Sequence, residues 1–170
     1  MFNHNIIQLN RVLEIRLQVY NSKHPSIAEV ESNIAVMFFN QGRYAEAKTL
    51  FTAALDMREA LLGPAHPAVG QSLNNLGGVM QILGEGVNAE PLYERAIQIK
   101  VDVLGPRHPD VASSKNNMGL LLKALGRPEE ALEMYLDALD IQRSTLGINH
   151  ADVATSLHNL AGLYVVSTSY

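Results

Sequence analysis

The sequence predicts an all-α chain of about eight helices arranged as antiparallel pairs, and two observations carry that prediction. The first is a period. His24, His66, His108 and His150 are each 42 residues apart, with proline after the first three and Ala151 after the fourth. Gly42, Gly84 and Gly126 keep the same spacing, as do Gly63, Gly105 and Gly147, Asn33, Asn75, Asn117 and Asn159, and Ala54, Ala96 and Ala138. Independent residue types sharing one period without an insertion mark an array of repeated units, and such arrays are sought before any other fold. The second observation is helical spacing inside each period. Leu73, Leu76, Gly77 and Met80 recur on one side of a helix, and so do Ala89, Tyr93, Ala96 and Ile97.

Each element follows from local chemistry. Residues 5–20 align with a second helix, Leu9, Val12, Leu13 and Arg16 falling where Phe51, Ala54, Leu55 and Arg58 stand one period later. Repeats then run over 24–65, 66–107 and 108–149, and 150–170 supplies the first helix of a fourth, giving one array over 1–170. Proline after the first three histidines suits a helix start, because its missing N–H is one the first turn does not use. Gly84 stops a first helix as a glycine beyond the cap. Ala89 and Ala96 are small enough for two backbones to approach, and Tyr93 fills the space beside them. Gly86 and Pro91 predict a shortened or distorted second helix near 86–91, since proline removes a helical hydrogen bond. Ser167–Tyr170 aligns with the turn at Gln41–Tyr44. Leu157, Leu160, Leu163 and Tyr164 give the last helix an apolar side with no following partner, so the chain reads as cut from a longer array or as associating through that end.

Composition narrows the function classes. Of the 170 residues, 47% are hydrophobic and 18% charged, and the net charge is −4. An acidic chain argues against general binding to nucleic acid or anionic membrane, which needs a basic surface. With no cysteine, thiolate metal sites, cysteine nucleophiles and disulfides are excluded. Neither a leader at Met1–Gln8 nor a run of about 18 apolar residues is present, so the default compartment is the cytosol. No Walker loop, nucleophile elbow or His-Glu-x-x-His occurs, and Gly84-Glu85-Gly86 follows no strand. Histidines one repeat apart cannot converge on one ion at about 2 Å each, so they read as structural; His4 and His158 are isolated. No catalytic residue, metal or cofactor is expected, and the chain is not expected to be an enzyme.

The order Leu73, Leu76-Gly77, Met80, Gly84, Ala89, Tyr93, Ala96 resembles the tetratricopeptide repeat. Ile34-Ala35, Phe38, Gly42, Ala47, Phe51, Ala54 and Met118-Gly119, Leu122, Gly126, Ala131, Tyr135, Ala138 repeat it. The 42-residue period, with Leu62-Gly63-Pro64-Ala65-His66-Pro67 and Ser72-Leu73-Asn74-Asn75-Leu76, is similar to the kinesin light chain subtype. The resemblance covers about residues 9 to 166. It implies a right-handed α-solenoid of antiparallel helix pairs whose first helices line a concave groove.

On that implication the groove carries Gln71, Asn74, Asn75, Gly78, Gln81 and Ile82. Its equivalents are Glu29, Ser32, Asn33, Val36, Phe39 and Asn40, then Ser113, Asn116, Asn117, Leu120, Lys123 and Ala124, then Thr155, His158, Asn159, Gly162, Val165 and Val166. Charge is scarce there: from the residue after each histidine dipeptide to the turn, the charged residues are Glu29, Glu31, Asp110, Lys115, Lys123 and Asp152. Asparagine offers both donor and acceptor, so a row at Asn33, Asn75, Asn117 and Asn159 suits the backbone of an extended peptide. Phe39, Ile82, Leu120 and Val165 offer side-chain pockets. The rival for the Asn33 series is a structural one, in which the amides fix the packing of neighbouring helices. Asn74 and Asn116 read as solvated groove residues, and Lys123 as a solvated charge. Gln71, Asn74, Ser113 and Asn116 stand where carboxylate-clamp members carry Lys and Arg, which argues against capture of an acidic C-terminus. Glu31 and Lys115 take the place of Leu73 and Leu157 and predict poorer packing there. The expected function is a protein-interaction scaffold that binds a peptide or helical segment of a protein partner. Rivals are a self-assembly module that forms a homo-oligomer through the C-terminal helix, and a truncated regulatory or cargo-binding arm of a larger motor or signalling protein.

Overall fold

The structure is a computed structural model that describes residues 2–20 and 23–167, with side-chain surroundings for 7–20 and 23–163. The turn expected at 168–170 lies outside the described residues, and so do the side chains of His4, Tyr164, Val165 and Val166. Among the described residues there are eight helices and no strand: α1 (Phe2–Val19), α2 (Pro25–Asn40), α3 (Tyr44–Leu62), α4 (Pro67–Ile82), α5 (Gly86–Leu104), α6 (Pro109–Ala124), α7 (Pro128–Leu146) and α8 (Ala151–Ser167). The chain divides into two compact units, Met1–Glu85 and Gly86–Tyr170. Within the first, α1 packs on α2, α2 on α3 and α3 on α4. Within the second, α5 packs on α6, α6 on α7, and α7 and α6 both on α8.

The histidines set where first helices begin. His24, His66, His108 and His150 each accept a hydrogen bond on Nδ1, from the N–H groups of Ser26, Ala68, Asp110 and Asp152, at 3.2, 3.1, 3.1 and 3.2 Å. The imidazole thus does what serine or asparagine does at a helix N-cap, satisfying one orphan donor of the first turn. Beyond the first helices, Gly42, Gly84 and Gly126 adopt φ of 76°, 80° and 77°. This left-handed conformation costs glycine nothing and ends the helix.

The buried faces follow the predicted spacing. Ile27, Ala28, Ile34 and Ala35 of α2 are buried, as are Ala47, Phe51 and Ala54 of α3 and Val69, Leu73, Leu76 and Val79 of α4. In the second unit Val111 and Ala112 of α6 form a cluster with Ala138 and Ile141 of α7. Each large aliphatic side chain so buried contributes about 1.5–3 kcal/mol. At Gly119 the Tyr135 ring of α7 lies close against α6: a Cβ there would sit 2.6 Å from Cε1 of Tyr135. Tyr135 is fully buried, and burial pushes its hydroxyl up to about 12.

A partly buried polar ladder, again with period 42, ties each second helix to the first helix that follows it within a unit. Arg16 donates to the Ser26 carbonyl at 2.5 Å. Arg58 donates to Ser72 Oγ at 2.5 Å and to the Ala68 carbonyl at 3.4 Å. Lys100 repeats this with Ser114 Oγ at 2.8 Å and the Asp110 carbonyl at 3.4 Å. At the fourth position Gln142 accepts from Ser156 Oγ at 2.5 Å. Burial pulls both Arg58 and Lys100 below their ordinary values, opposed by the carboxylates of Glu29 and Asp110 respectively.

One ion pair recurs with its charges exchanged. Lys48 meets Glu85 at 2.5 Å, and 42 residues on Glu90 meets Arg127 at 2.7 Å. Partly exposed pairs of this kind are worth about 0.2–1 kcal/mol each.

One expectation is corrected. The helix at Gly86–Leu104 is not shortened: it has 19 residues, like α3 and α7, with Pro91 inside it. Pro91 falls in the second turn, where one lost hydrogen bond does not end the helix, and Gly86 is seated closely. A Cβ on Gly86 would lie 3.1 Å from both Leu121 and Leu125 side chains. Leu157 is 49% exposed, in keeping with an apolar side of α8 that no described helix covers. Glu31 and Lys115 differ from Leu73 as expected. Glu31 is half-buried with Oε2 unpartnered, and burial raises its carboxyl above the ordinary value. Lys115 reaches out to Asp137 at 2.5 Å.

Candidate peptide-binding face

Each unit presents its own outward first-helix surface. In the second unit α6 and α8 lie side by side, joined by two polar contacts. Asn116 Nδ2 donates to Ser156 Oγ at 2.6 Å, and Lys123 Nζ donates to the Gly162 carbonyl at 2.9 Å. A Cβ at Gly162 would stand 3.0 Å from Nζ. Around these contacts Leu120 and His158 are exposed, and Asn117 and Asn159 are half-buried. These four residues supply amides, an imidazole and an apolar side chain.

Two members of the expected face change role. Asn116 is not solvated; it is buried at 6% exposure. Its N–H, the Ser156 hydroxyl and the Gln142 carbonyl oxygen form one chain of hydrogen bonds from α6 through α8 to α7. Such a chain must be satisfied in place, because a buried polar group without its partner costs about 1–3 kcal/mol. Lys123 is half-buried, with one of its three ammonium donors on the Gly162 carbonyl. Ser32, also expected outward, is buried and donates to the Ala28 carbonyl at 2.8 Å. The period-42 ladder of Arg16, Arg58, Lys100 and Gln142 is the polar feature the sequence reading missed. Its signal was present in the matching series Ser72, Ser114 and Ser156.

In the first unit Asn33 is exposed and Phe39 is half-buried, its ring edge-on to Tyr44 at 5.3 Å. On α4, Gln71 and Ile82 are exposed, while Asn74, Asn75 and Gln81 are half-buried. Gln71 Nε2 donates to Asn75 Oδ1 at 2.9 Å, one turn apart. That bond orients the Asn75 amide. Glu29, on the same helix as Asn33, pairs with Arg16 at 3.7 Å.

Among the described residues no group of three or more His, Cys, Asp or Glu side chains is placed to hold a metal ion. None of the described helices is long and apolar enough to cross a membrane.

The class to which these paired helices belong comes from the sequence comparisons. The tetratricopeptide repeat family matches residues 6–60, 26–85, 69–144 and 110–165, so the chain belongs to that family. No curated protein matches the sequence. Solved structures with the same fold include BtubC (BKLC) from P. vanneervenii, 23% identical over 98% of this chain and 67% of that one, with a TM-score of 0.81. A Podosopora anserina kinesin light chain-like protein with nearly identical TPR-like repeats is 25% identical over 99% of this chain and 80% of that one, with a TM-score of 0.81. The apo form of RapI is 14% identical over 99% of this chain, with a TM-score of 0.77; the chain spans 46% of RapI's length. The repeat is of the kinesin light chain-like subtype, and tetratricopeptide proteins in general are non-catalytic scaffolds that bind other proteins.

Proposed function

We propose that this protein is an interaction scaffold whose first-helix faces hold an extended peptide segment of a partner protein. The observation that carries this reading is the chemistry of the α6–α8 surface. Asn117 and Asn159 present amides beside exposed Leu120 and His158, while the nearby cation, Lys123, is tied to Gly162. A surface of that kind pairs with peptide backbone and admits apolar side chains. It does not select for negative charge, so a C-terminal carboxylate is not its target. In the first unit Asn33, Phe39, Gln71, Asn74, Asn75, Gln81 and Ile82 offer the same residue types. Asn116 has no part in the reading, being consumed in the core.

The test is selection of a displayed random peptide library on the immobilised chain, followed by titration of a recovered peptide. Asn117→Ala with Asn159→Ala is expected to weaken binding at least tenfold and to leave the melting temperature within a few degrees. Undiminished affinity in the double variant would remove the face from the binding site. A large drop in melting temperature would assign the two amides to structure.

A further inference from the structure

The first unit holds a cleft among three consecutively packed helices. It has a volume of about 270 Å³ and apolar walls: Leu13 of α1, Ile34 and Phe38 of α2, and Leu50 of α3. Asn10, Glu46 and Thr49 complete the lining, and all three are exposed. Ile34 is buried at 1% exposure, so the polar groups stand at the solvent edge of an apolar floor. Phe38 is half-buried, whereas Leu122, two periods later in the second unit, is 2% exposed.

A missing ion pair goes with the open floor. In the second unit Glu90 of α5 meets Arg127, the N-cap of α7, at 2.7 Å. Two periods earlier the same positions are Ile6 and Arg43, and an isoleucine offers no charge. Arg43, the N-cap of α3, donates instead to Glu46 at 2.6 Å and stands over the Phe38 ring at 4.0 Å.

The edge of the cleft selects a donor. Thr49 gives its hydroxyl proton to the Ala45 carbonyl at 3.1 Å, so its oxygen is left to accept. The Glu46 carboxylate accepts only. A fitting group therefore has an apolar body and one donor on its rim. Ligand pockets run from about 300 to 1,000 Å³, and this cleft, at the small end, takes one bulky side chain in place of an extended segment. Indole meets both conditions, being apolar and a donor only. A phenol would turn its own lone pairs toward the acceptors, and a phenyl ring would leave them without a partner.

We propose that this cleft receives the indole of a tryptophan from a partner protein. The chain contains no tryptophan, so neither its own segments nor a second copy can supply one. The inference is independent of the first-helix reading, since the cleft is built on Ile34 and Phe38 and uses neither Asn33 nor Phe39.

The absence of tryptophan also makes the test clean, because all indole emission comes from the added probe. Titrating the chain into N-acetyl-tryptophanamide should shift the emission to the blue and saturate. The 1-methyl-indole analogue, which lacks the N–H, should bind about threefold to tenfold more weakly, the worth of one hydrogen bond. N-acetyl-phenylalaninamide should compete more weakly still. Thr49→Phe should fill the cleft and abolish the shift, and Asn10→Phe repeats the test from the opposite wall. Both positions are exposed, so each variant is expected to melt like the parent. Asn33→Ala with Asn75→Ala should leave the titration unchanged, which separates this site from the first-helix face. No shift up to the solubility limit of the probe overturns the proposal. So does a shift that survives both phenylalanine variants, or a methylated or phenyl probe that binds as tightly as the indole.

Discussion

Adding one methyl group at position 119 tests how α6 is seated on α7. The new Cβ in Gly119→Ala would stand 2.6, 2.8 and 3.0 Å from Cε1, Cδ1 and Cζ of Tyr135. Carbon atoms at rest keep about 3.5–4.0 Å apart, so ring and helix must separate by about 1 Å. The ring has nowhere to go: Tyr135 is fully buried, as are Ala131 and Ala138 on the same helix. Overpacking of this kind costs about 1–3 kcal/mol, and the upper half of that range applies to a rigid ring. Alanine returns about 1 kcal/mol in helix propensity. The expected net loss is about 1–2 kcal/mol, a fall in Tm of about 2–8 °C for a chain of this size. Thermal unfolding followed by circular dichroism reads it. Tyr135→Leu alone leaves a cavity and is destabilising, yet combined with Gly119→Ala it should recover stability, with a coupling of at least about 1 kcal/mol between the two positions. A Gly119→Ala protein that melts at or above the parent temperature would refute the close approach and the size compensation argued from it.

Other perturbations follow from the same packing. Replacing His66 by Ala removes an N-cap acceptor and should cost about 1 kcal/mol in chemical denaturation, while His66→Asn should cost less, because asparagine can cap in the same way. Pro91→Ala restores a backbone donor in the second turn of α5 and should raise Tm, with slower amide exchange over 86–91 approaching that over 128–133. Lys100 has its value lowered by burial, so between that lowered value and the ordinary 10.5 the unfolded chain holds more protons than the folded one. Stability relative to Lys100→Met should therefore rise with pH across that window and level off above 10.5. Glu31 has its value raised by burial, so the folded state holds the extra proton between 4.5 and the raised value. Glu31→Gln should stabilise the chain at neutral pH, and that advantage should vanish as pH falls to 4.5.

The fold was legible because a repeat prints its covalent geometry many times. Histidine-proline starts, glycine stops and small residues beside an aromatic recur at 42, and each has one structural meaning. The outward face was less legible. A helical wheel places Asn116 beside Asn117, but it does not register that Ser156 and Gln142 wait on neighbouring helices to bury the first amide and not the second. The contact of Lys123 was not legible for a related reason: its acceptor, the Gly162 carbonyl, lies 39 positions later. The partly buried Arg16, Arg58, Lys100 and Gln142 series went unread because a charged residue on a second helix looks like solvated surface until its serine partners are set in the same period. Pro91 misled in the opposite direction: in the second turn, one lost hydrogen bond does not end the helix.

The most direct measurement of the central claim is an amide-detected NMR titration of the chain with a library-selected peptide. The account predicts that the side-chain N–H₂ signals of Asn117 and Asn159 shift with the backbone signals around Leu120 and His158, while that of Asn116, held in the core, stays in place. Shifts confined to the second helices, with Asn117 and Asn159 unmoved, would contradict it.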